Sequence, residues 1–172
     1  VYLLSEKVSV GGSSVDIEDL EKAYEDKNPN YGEDMQTSVG TNKYGQKIQF
    51  TTGLVDPDSI TGGYLIELNH DFIDEASGFW TKKGVAFNVK GPEWCSEDAM
   101  KYISEYYQEF EDAVYAADGS GYNAETGLYY YDYVDVDSLV KIFLIQELGL
   151  NADGFISSLF FYKDADGKMY AG

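Results

Sequence analysis

Between Ser138 and Leu148 the chain carries Leu139, Val140, Ile142, Phe143, Leu144, Ile145 and Leu148, which make one side of a helix almost wholly apolar. A helix that is apolar over so much of its circumference has to be wrapped by the rest of a fold. Residues 138–148 are therefore expected to form the central buried helix, with Asp135 or Asp137 as its cap and Gly149 as its C′ stop. Behind it run Leu150-Asn151-Ala152, then Asp153, then Gly154-Phe155-Ile156-Ser157-Ser158 and the apolar Leu159-Phe160-Phe161-Tyr162. A carboxylate set between a buried helix and a buried strand is costly without a partner or a task. Asp153 is thus the first candidate for chemistry.

The remaining segments supply strands. Residues 2–10 alternate up to Gly11-Gly12, and 13–17 read as a return strand, together a hairpin. Residues 16–24 suit a short helix. The polar stretch 26–46, broken by Asn28-Pro29-Asn30, Gly32, Gly40 and Gly45, reads as a long surface loop. An edge strand is expected over 47–51, firm strands over 64–68 and 85–90, and Phe79-Trp80 lie in a further apolar run. Ser96 caps a helix reaching about residue 117, with Glu97 and Asp98 in its first turn. Along it Ala99, Ile103, Tyr106, Phe110 and Val114 recur at helical spacing. Residues 118–126 form a loop, and 159–162 pairs with 168–170 across Asp164-Ala165-Asp166-Gly167.

Strands first, helices after and a closing hairpin give an α+β class with antiparallel strands, two main helices and a C-terminal hairpin. The length suits a single domain over 1–172, with 1–94 mostly strands and loops and 95–172 mostly helices plus the hairpin.

Thirty-one acids stand against twelve bases, every base is Lys, and the net charge is −19. Such a balance excludes general nucleic-acid binding, whose affinity comes from neutralising phosphates. It also removes the bidentate Arg clamp, so a polyphosphate ligand would depend on Lys, backbone N–H groups or a divalent metal. Acidity of this degree keeps a secreted protein soluble. No run is apolar over a length that spans a membrane. Cys95 is the lone cysteine, which rules out an internal disulfide, and it reads as a small packed residue. With one His, His70, the chain lacks the makings of a His/Cys zinc site.

The order of a strand ending in Lys90, a long helix, an apolar helix, Asp153 and a hairpin follows kinase-type phosphoryl transfer. There a strand Lys holds phosphates, a loop carboxylate accepts the substrate hydroxyl's proton, and a residue five positions on helps hold metal. Five positions after Asp153 stands Ser158. Further collinear blocks are Tyr2-Leu3-Leu4-Ser5-Glu6-Lys7-Val8, Gly62-Gly63-Tyr64-Leu65-Ile66-Glu67, Phe87-Asn88-Val89-Lys90-Gly91-Pro92-Glu93, Asp135-Val136-Asp137-Ser138, Gln146-Glu147-Leu148, Asn151-Ala152-Asp153-Gly154 and Tyr162-Lys163-Asp164. With these blocks the chain resembles the CotH-type atypical protein kinases, the spore-coat-protein-H family.

The resemblance implies a divergent kinase-like fold that binds ATP with Mg2+ or Mn2+ and phosphorylates Ser hydroxyls of a protein substrate. Asp153 matches the catalytic aspartate, Lys90 the phosphate-binding Lys, Glu67 falls in a cofactor-side block, and Ser158 stands at the metal-side position. The family's Trp-Asp-x-Asp stretch is expected after Gly172 and an Arg-bearing segment before Val1. The chain is accordingly expected to be the central part of such a domain, inactive alone, from a secreted or cell-surface bacterial protein, with a spore coat as the lesser alternative.

Plainer readings stand beside these. Asp153 in Asn-Ala-Asp-Gly is also a turn former, Lys90 before Gly91-Pro92 also a solvated strand end, and the Asp164 segment a plain turn that lacks a calcium loop's distal Glu. The sixteen Tyr suit core edges, where the ring is buried and the hydroxyl wetted; some could form a sugar-stacking platform with Trp80 or Trp94. The functional rival is a non-catalytic, acidic, aromatic-rich module that contacts a bacterial surface or a polysaccharide on a kinase-like scaffold.

Overall fold

A computed structural model describes residues 8–11, 15–70, 72–165 and 167–172, with the backbone alone at 152 and 153. The architecture is α+β. One antiparallel sheet holds seven strands in the order β1-β2-β4-β5-β3-β8-β9: β1 Thr37–Thr41, β2 Lys47–Thr51, β3 Tyr64–Asn69, β4 Gly78–Trp80, β5 Ala86–Gly91, β8 Leu159–Lys163 and β9 Met169–Ala171. A second, two-stranded ribbon pairs β6 Tyr122–Asn123 with β7 Leu128–Tyr129. The helices are α1 Leu20–Lys27, α2 Glu97–Val114, the short α3 Tyr130–Tyr133 and α4 Val136–Leu148. Strands from both halves of the chain thus share one sheet.

β3 is an interior strand, with β5 on one side and β8 on the other. Ile66 faces Val89 across one ladder and Phe161 across the other. The alternation of these strands sends Tyr64, Ile66, Phe87, Val89 and Phe161 into the core, where they meet Ala99, Met100 and Ile103 of α2. The Ser96 hydroxyl accepts from Ala99 N at 3.1 Å, and Glu97 and Asp98 in the first turn complement the helix dipole. Tyr24, Tyr64 and Tyr133 are fully buried, and Tyr24 and Tyr64 direct their hydroxyls to Asp56 and to the Ile60 carbonyl, both at 2.7 Å.

Several expectations are corrected. The central buried helix is α2, whereas α4 has no buried residue. Helix α4 packs apolar side chains on the core through Leu139 and Ile142, and leaves Val140, Phe143, Leu144, Ile145 and Leu148 exposed. Its cap is Asp135, which accepts from Ser138 N at 2.8 Å. Its left-handed residue is Leu150, at φ 50°, while Gly149 stays right-handed. The segment expected to be a long loop contains β1, a largely polar strand held by its ladder to β2, so periodicity gave it little signal. β2 is consequently an interior strand, paired to β4 through Ile48 and Phe79. The short helix starts later than expected, at Leu20, under an Asp19 cap. Of the N-terminal hairpin, 2–7 and 12–14 lie outside the described residues, and the rest holds an isolated parallel bridge between Val10 and Val15.

Candidate functional site

The sheet face away from α2 carries the polar side chains of the central strands. On β3, Ile66 turns inward and Glu67 outward; on β5, Val89 turns inward and Asn88 and Lys90 outward. The β3–β5 register slips between Leu65 and Ile66, pairing Leu65 with Gly91 and Ile66 with Val89. Lys90 is the extra residue of this bulge, a device that re-aims a side chain. Its ammonium lies 3.5 Å from Glu67 Oε2 and donates to Glu75 Oε1.

Glu75 sits on the loop from β3 to β4 and is held there by its neighbours. Asn88, fully buried, donates to Asp74 Oδ1, which also accepts from Asn69 Nδ2 at 2.9 Å. Gln49 Nε2 donates to the Glu75 carbonyl at 2.6 Å. Partial burial pulls the Lys90 ammonium's pKa down, but the Glu75 hydrogen bond and the charges of Glu75 and Glu67 outweigh it and leave the pKa above the ordinary lysine value.

Lys90 and Glu67 form the floor of a groove of about 590 Å³, with Gly91 and Phe160. Val8, Ser9 and Val10, with Asp19, Glu21, Lys22 and Glu25 from α1 and its cap and Glu93, complete its lining. The volume lies in the range of small-molecule sites. A Cβ on Gly91 would meet Val10 Cγ2 at 3.1 Å, so a bare glycine lets this segment lie close over the strand. The groove is electronegative, with five carboxylates against two lysines. Burial, together with the charges of Glu93, Glu25 and Asp19, raises the pKa of Glu21.

The sequence-predicted residues fall in different places. Lys90 and Glu67 are brought together, and the plain reading of Lys90 as a solvated strand end gives way to a doubly paired ammonium. Ser158 is exposed, at φ 61°, and its N–H donates to the Leu68 carbonyl at 3.0 Å. It stands on the β8 side of β3, two residues before Phe160, the Cα partner of Glu67. The backbone of Asp153 lies in a 3-10 turn over Ala152–Phe155, and its side chain lies outside the described residues. Glu75 and the acids of α1 went unforeseen, since a loop carboxylate and a surface helix carry no local mark of what they face.

Among the described residues no group of three His, Cys, Asp or Glu converges to hold a metal ion. Of the groove's carboxylates Glu67 is paired with Lys90, and the others do not converge with it into a cation centre. Cys95 is fully buried, with its N–H on Ser77 Oγ at 2.9 Å, and burial pushes its thiol pKa up, as befits an inert packed cysteine. No helix among the described residues is long and apolar enough to cross a membrane. Comparison with protein-family models, with curated proteins and with solved structures finds no match.

Proposed function

We propose that the groove over β3 and β5 is the nucleotide end of a CotH-type kinase-like domain. In this reading Lys90 steadies the phosphates of ATP and Glu67 holds Lys90 in position. The observation that carries it is the Lys90–Glu67 pair, 3.5 Å apart on neighbouring strands and presented into the groove by a bulge. Kinase-type transfer uses a Lys–Glu ion pair to hold the phosphate-binding Lys, there with the Glu on a helix; in this chain the Glu stands on the neighbouring strand. Phosphate entry would compete with Glu75 for the ammonium, leaving Glu67 as its standing partner. In the assembled reaction the Ser oxygen of a protein substrate would bond to the γ-phosphorus as the bond to ADP breaks. Asp153 would take the hydroxyl proton. Mg2+ or Mn2+ belongs to this reading by resemblance, as does the placing of Ser158 on the metal side, and no step is derived through a metal. A secreted or surface-exposed bacterial setting goes with the same resemblance and suits the chain's acidity.

A second reading, a non-catalytic binding module, draws on the five carboxylates that line the same groove. Equilibrium binding of ATP with and without Mg2+ separates the two. Wild type should bind, and Lys90→Ala should weaken binding by roughly tenfold or more, the worth of a charge-assisted hydrogen bond. Failure to bind millimolar ATP with Mg2+, or equal affinity in the variant, would overturn the nucleotide assignment. Transfer from labelled ATP, tested in the longest soluble form of the protein, should disappear in Asp153→Asn.

A further inference from the structure

Glu111 is a carboxylate that the fold buries without giving it a cation. It is 7% exposed and stands in the last turn of α2, where no basic side chain is present and the helix dipole opposes negative charge. Its Oε2 accepts from Nε2 of the buried Gln108 at 2.9 Å. That amide is neutral, and it also serves Asp112 Oδ1 at 2.9 Å. The turn between β4 and β5 brings two lysines near, and both are engaged elsewhere. Lys82 gives its N–H to Gln108 Oε1 at 2.8 Å and its ammonium to Asp112 Oδ2 at 2.6 Å. The Lys83 ammonium lies 4.4 Å from the centroid of the Tyr115 ring. Neither forms an ion pair with Glu111 among the described residues. A buried charge in this state is costly unless something else completes it.

Glu111 lines a cavity of about 240 Å³ between α2 and the sheet, on the sheet face opposite the Lys90 groove. Phe87 of β5 and Phe161 of β8 stand on its sheet side, and Tyr107, Phe110 and Val114 on its helix side, with Tyr115 just after α2. Every lining residue except Glu111 is aliphatic or aromatic. The rings are held by one another: Tyr107 lies 4.3 Å from Phe87 and 5.7 Å from Phe110, centroid to centroid. Burial, and after it the charge of Glu111, push the Tyr107 phenol's pKa up, so the carboxylate acts on the aromatic wall itself. A wall fixed in this way loses little conformational entropy when a ligand settles on it. The volume falls below the roughly 300–1,000 Å³ of drug-sized sites, so the occupant must be small.

We infer that this cavity binds a small arylalkylamine, with its ammonium on Glu111 and its ring among the aromatic side chains of the wall. The local chemistry selects this class. A buried carboxylate with only a neutral partner calls for a cation, and an ammonium supplies both the charge and the donors that the free lone pairs of Glu111 can accept. Aromatic walls stabilise an ammonium through their π-faces and pack an aryl ring edge-to-face. A hydrated inorganic cation finds a single carboxylate here and no further oxygen cage, whereas an amine brings an apolar body that suits the rest of the lining. The cavity shares no lining residue with the Lys90 groove, so it stands whether or not that groove holds a nucleotide.

NMR titration of the Val85 and Val114 methyl signals at neutral pH tests the site with three compounds of one shape: phenethylamine, phenethyl alcohol and hydrocinnamate. Phenethylamine should shift both methyls and saturate. The neutral alcohol should bind roughly tenfold or more weakly, the worth of a charge-assisted hydrogen bond, and the anion should not bind. This comparison needs no variant. Glu111→Gln, which keeps the side chain's shape, should bring the amine down to the affinity of the alcohol. Val114→Trp, which fills the cavity and leaves the net charge unchanged, should abolish binding and so separates the site from loose attraction of a cation to an acidic protein. Circular dichroism confirms that each variant is folded. No saturable shift with millimolar phenethylamine overturns the inference, as does equal affinity for amine and alcohol. Amine binding unchanged in folded Glu111→Gln or Val114→Trp overturns it equally.

Discussion

The ammonium of Lys163 lies 4.7 Å from the ring centroid of Tyr106 and donates to the Thr61 carbonyl at 2.8 Å, with almost no contact with solvent. A buried lysine is tolerable here because carbonyls and a π-face replace its water. The Asp164 carbonyl, at 3.2 Å, and the Tyr102 ring, at 5.4 Å, also lie beside it. The contact ties the end of β8 to the turn before β3.

Lys163→Met keeps most of the side-chain volume and removes the ammonium, leaving buried carbonyls without that donor. It should lower stability by about 1–3 kcal/mol. Urea unfolding followed by circular dichroism measures this, and an unchanged midpoint would show that the ammonium contributes nothing.

The same corner explains why Gly62 and Gly63 are bare. A Cβ on Gly62 would overlap the backbone of Ala165, and one on Gly63, at φ +84°, would fall 2.6 Å from the Glu18 carbonyl. Asp164 Oδ1 fastens the corner by accepting from Glu18 N at 3.0 Å and Ala165 N at 2.9 Å. Gly62→Ala and Gly63→Ala should each cost about 1–3 kcal/mol, through overpacking at the first and overpacking plus left-handed strain at the second. Thermal unfolding of the two variants beside Gly45→Ala, which shares the left-handed strain but meets open space, isolates the packing contribution.

Helices α2 and α4 should respond oppositely to truncation. Ile103→Ala removes a fully buried side chain and should cost about 2–5 kcal/mol. Leu144→Ala and Ile145→Ala remove exposed ones and should stay within about 0.5 kcal/mol of wild type. Large losses at Leu144 or Ile145 would mean that α4 is covered in solution.

Lys90 carries a raised pKa, so its ion pairs stabilise the fold fully below the ordinary lysine value of about 10.4 and lose that contribution as pH climbs through the raised folded value. NMR titration of the Lys90 ε-methylene should give a midpoint above the ordinary value, and Glu75→Gln should bring it down. A midpoint in wild type at or below the ordinary value would show that the Glu75 contact does not form in solution.

Much of the sheet is legible in the sequence. The apolar run Tyr64 to Leu68 and the alternation of Val85 to Lys90 marked two firm strands, the Ser96-Glu97-Asp98 start marked α2, and the residues flanking Asp164 marked the last hairpin. Thr37 to Thr41 was not legible, because a polar strand is held by backbone bonds to its neighbour and shows no apolar stripe. The helix over Val136 to Leu148 misled for the opposite reason. Its side chains call for burial, but they do not say whether the described chain supplies the cover.

Of the candidate site, local pattern was enough to place Lys90 and Glu67 on strands, since a period of two follows from the residues themselves. Which carboxylates stand beside Lys90 was settled by pairing in space. β3 and β5 had to lie side by side, their register had to slip at Leu65, and the loop bearing Glu75 had to be pinned by Asn88 and Gln49. The Glu111 cavity divides the same way. Glu111 can be set on a helix from the chain, but its burial beside a cavity lined by Phe87 and Phe161 depends on how α2 lies on the sheet. Contacts between residues distant in sequence carry no local periodicity, so they become visible only once the chain has closed on itself.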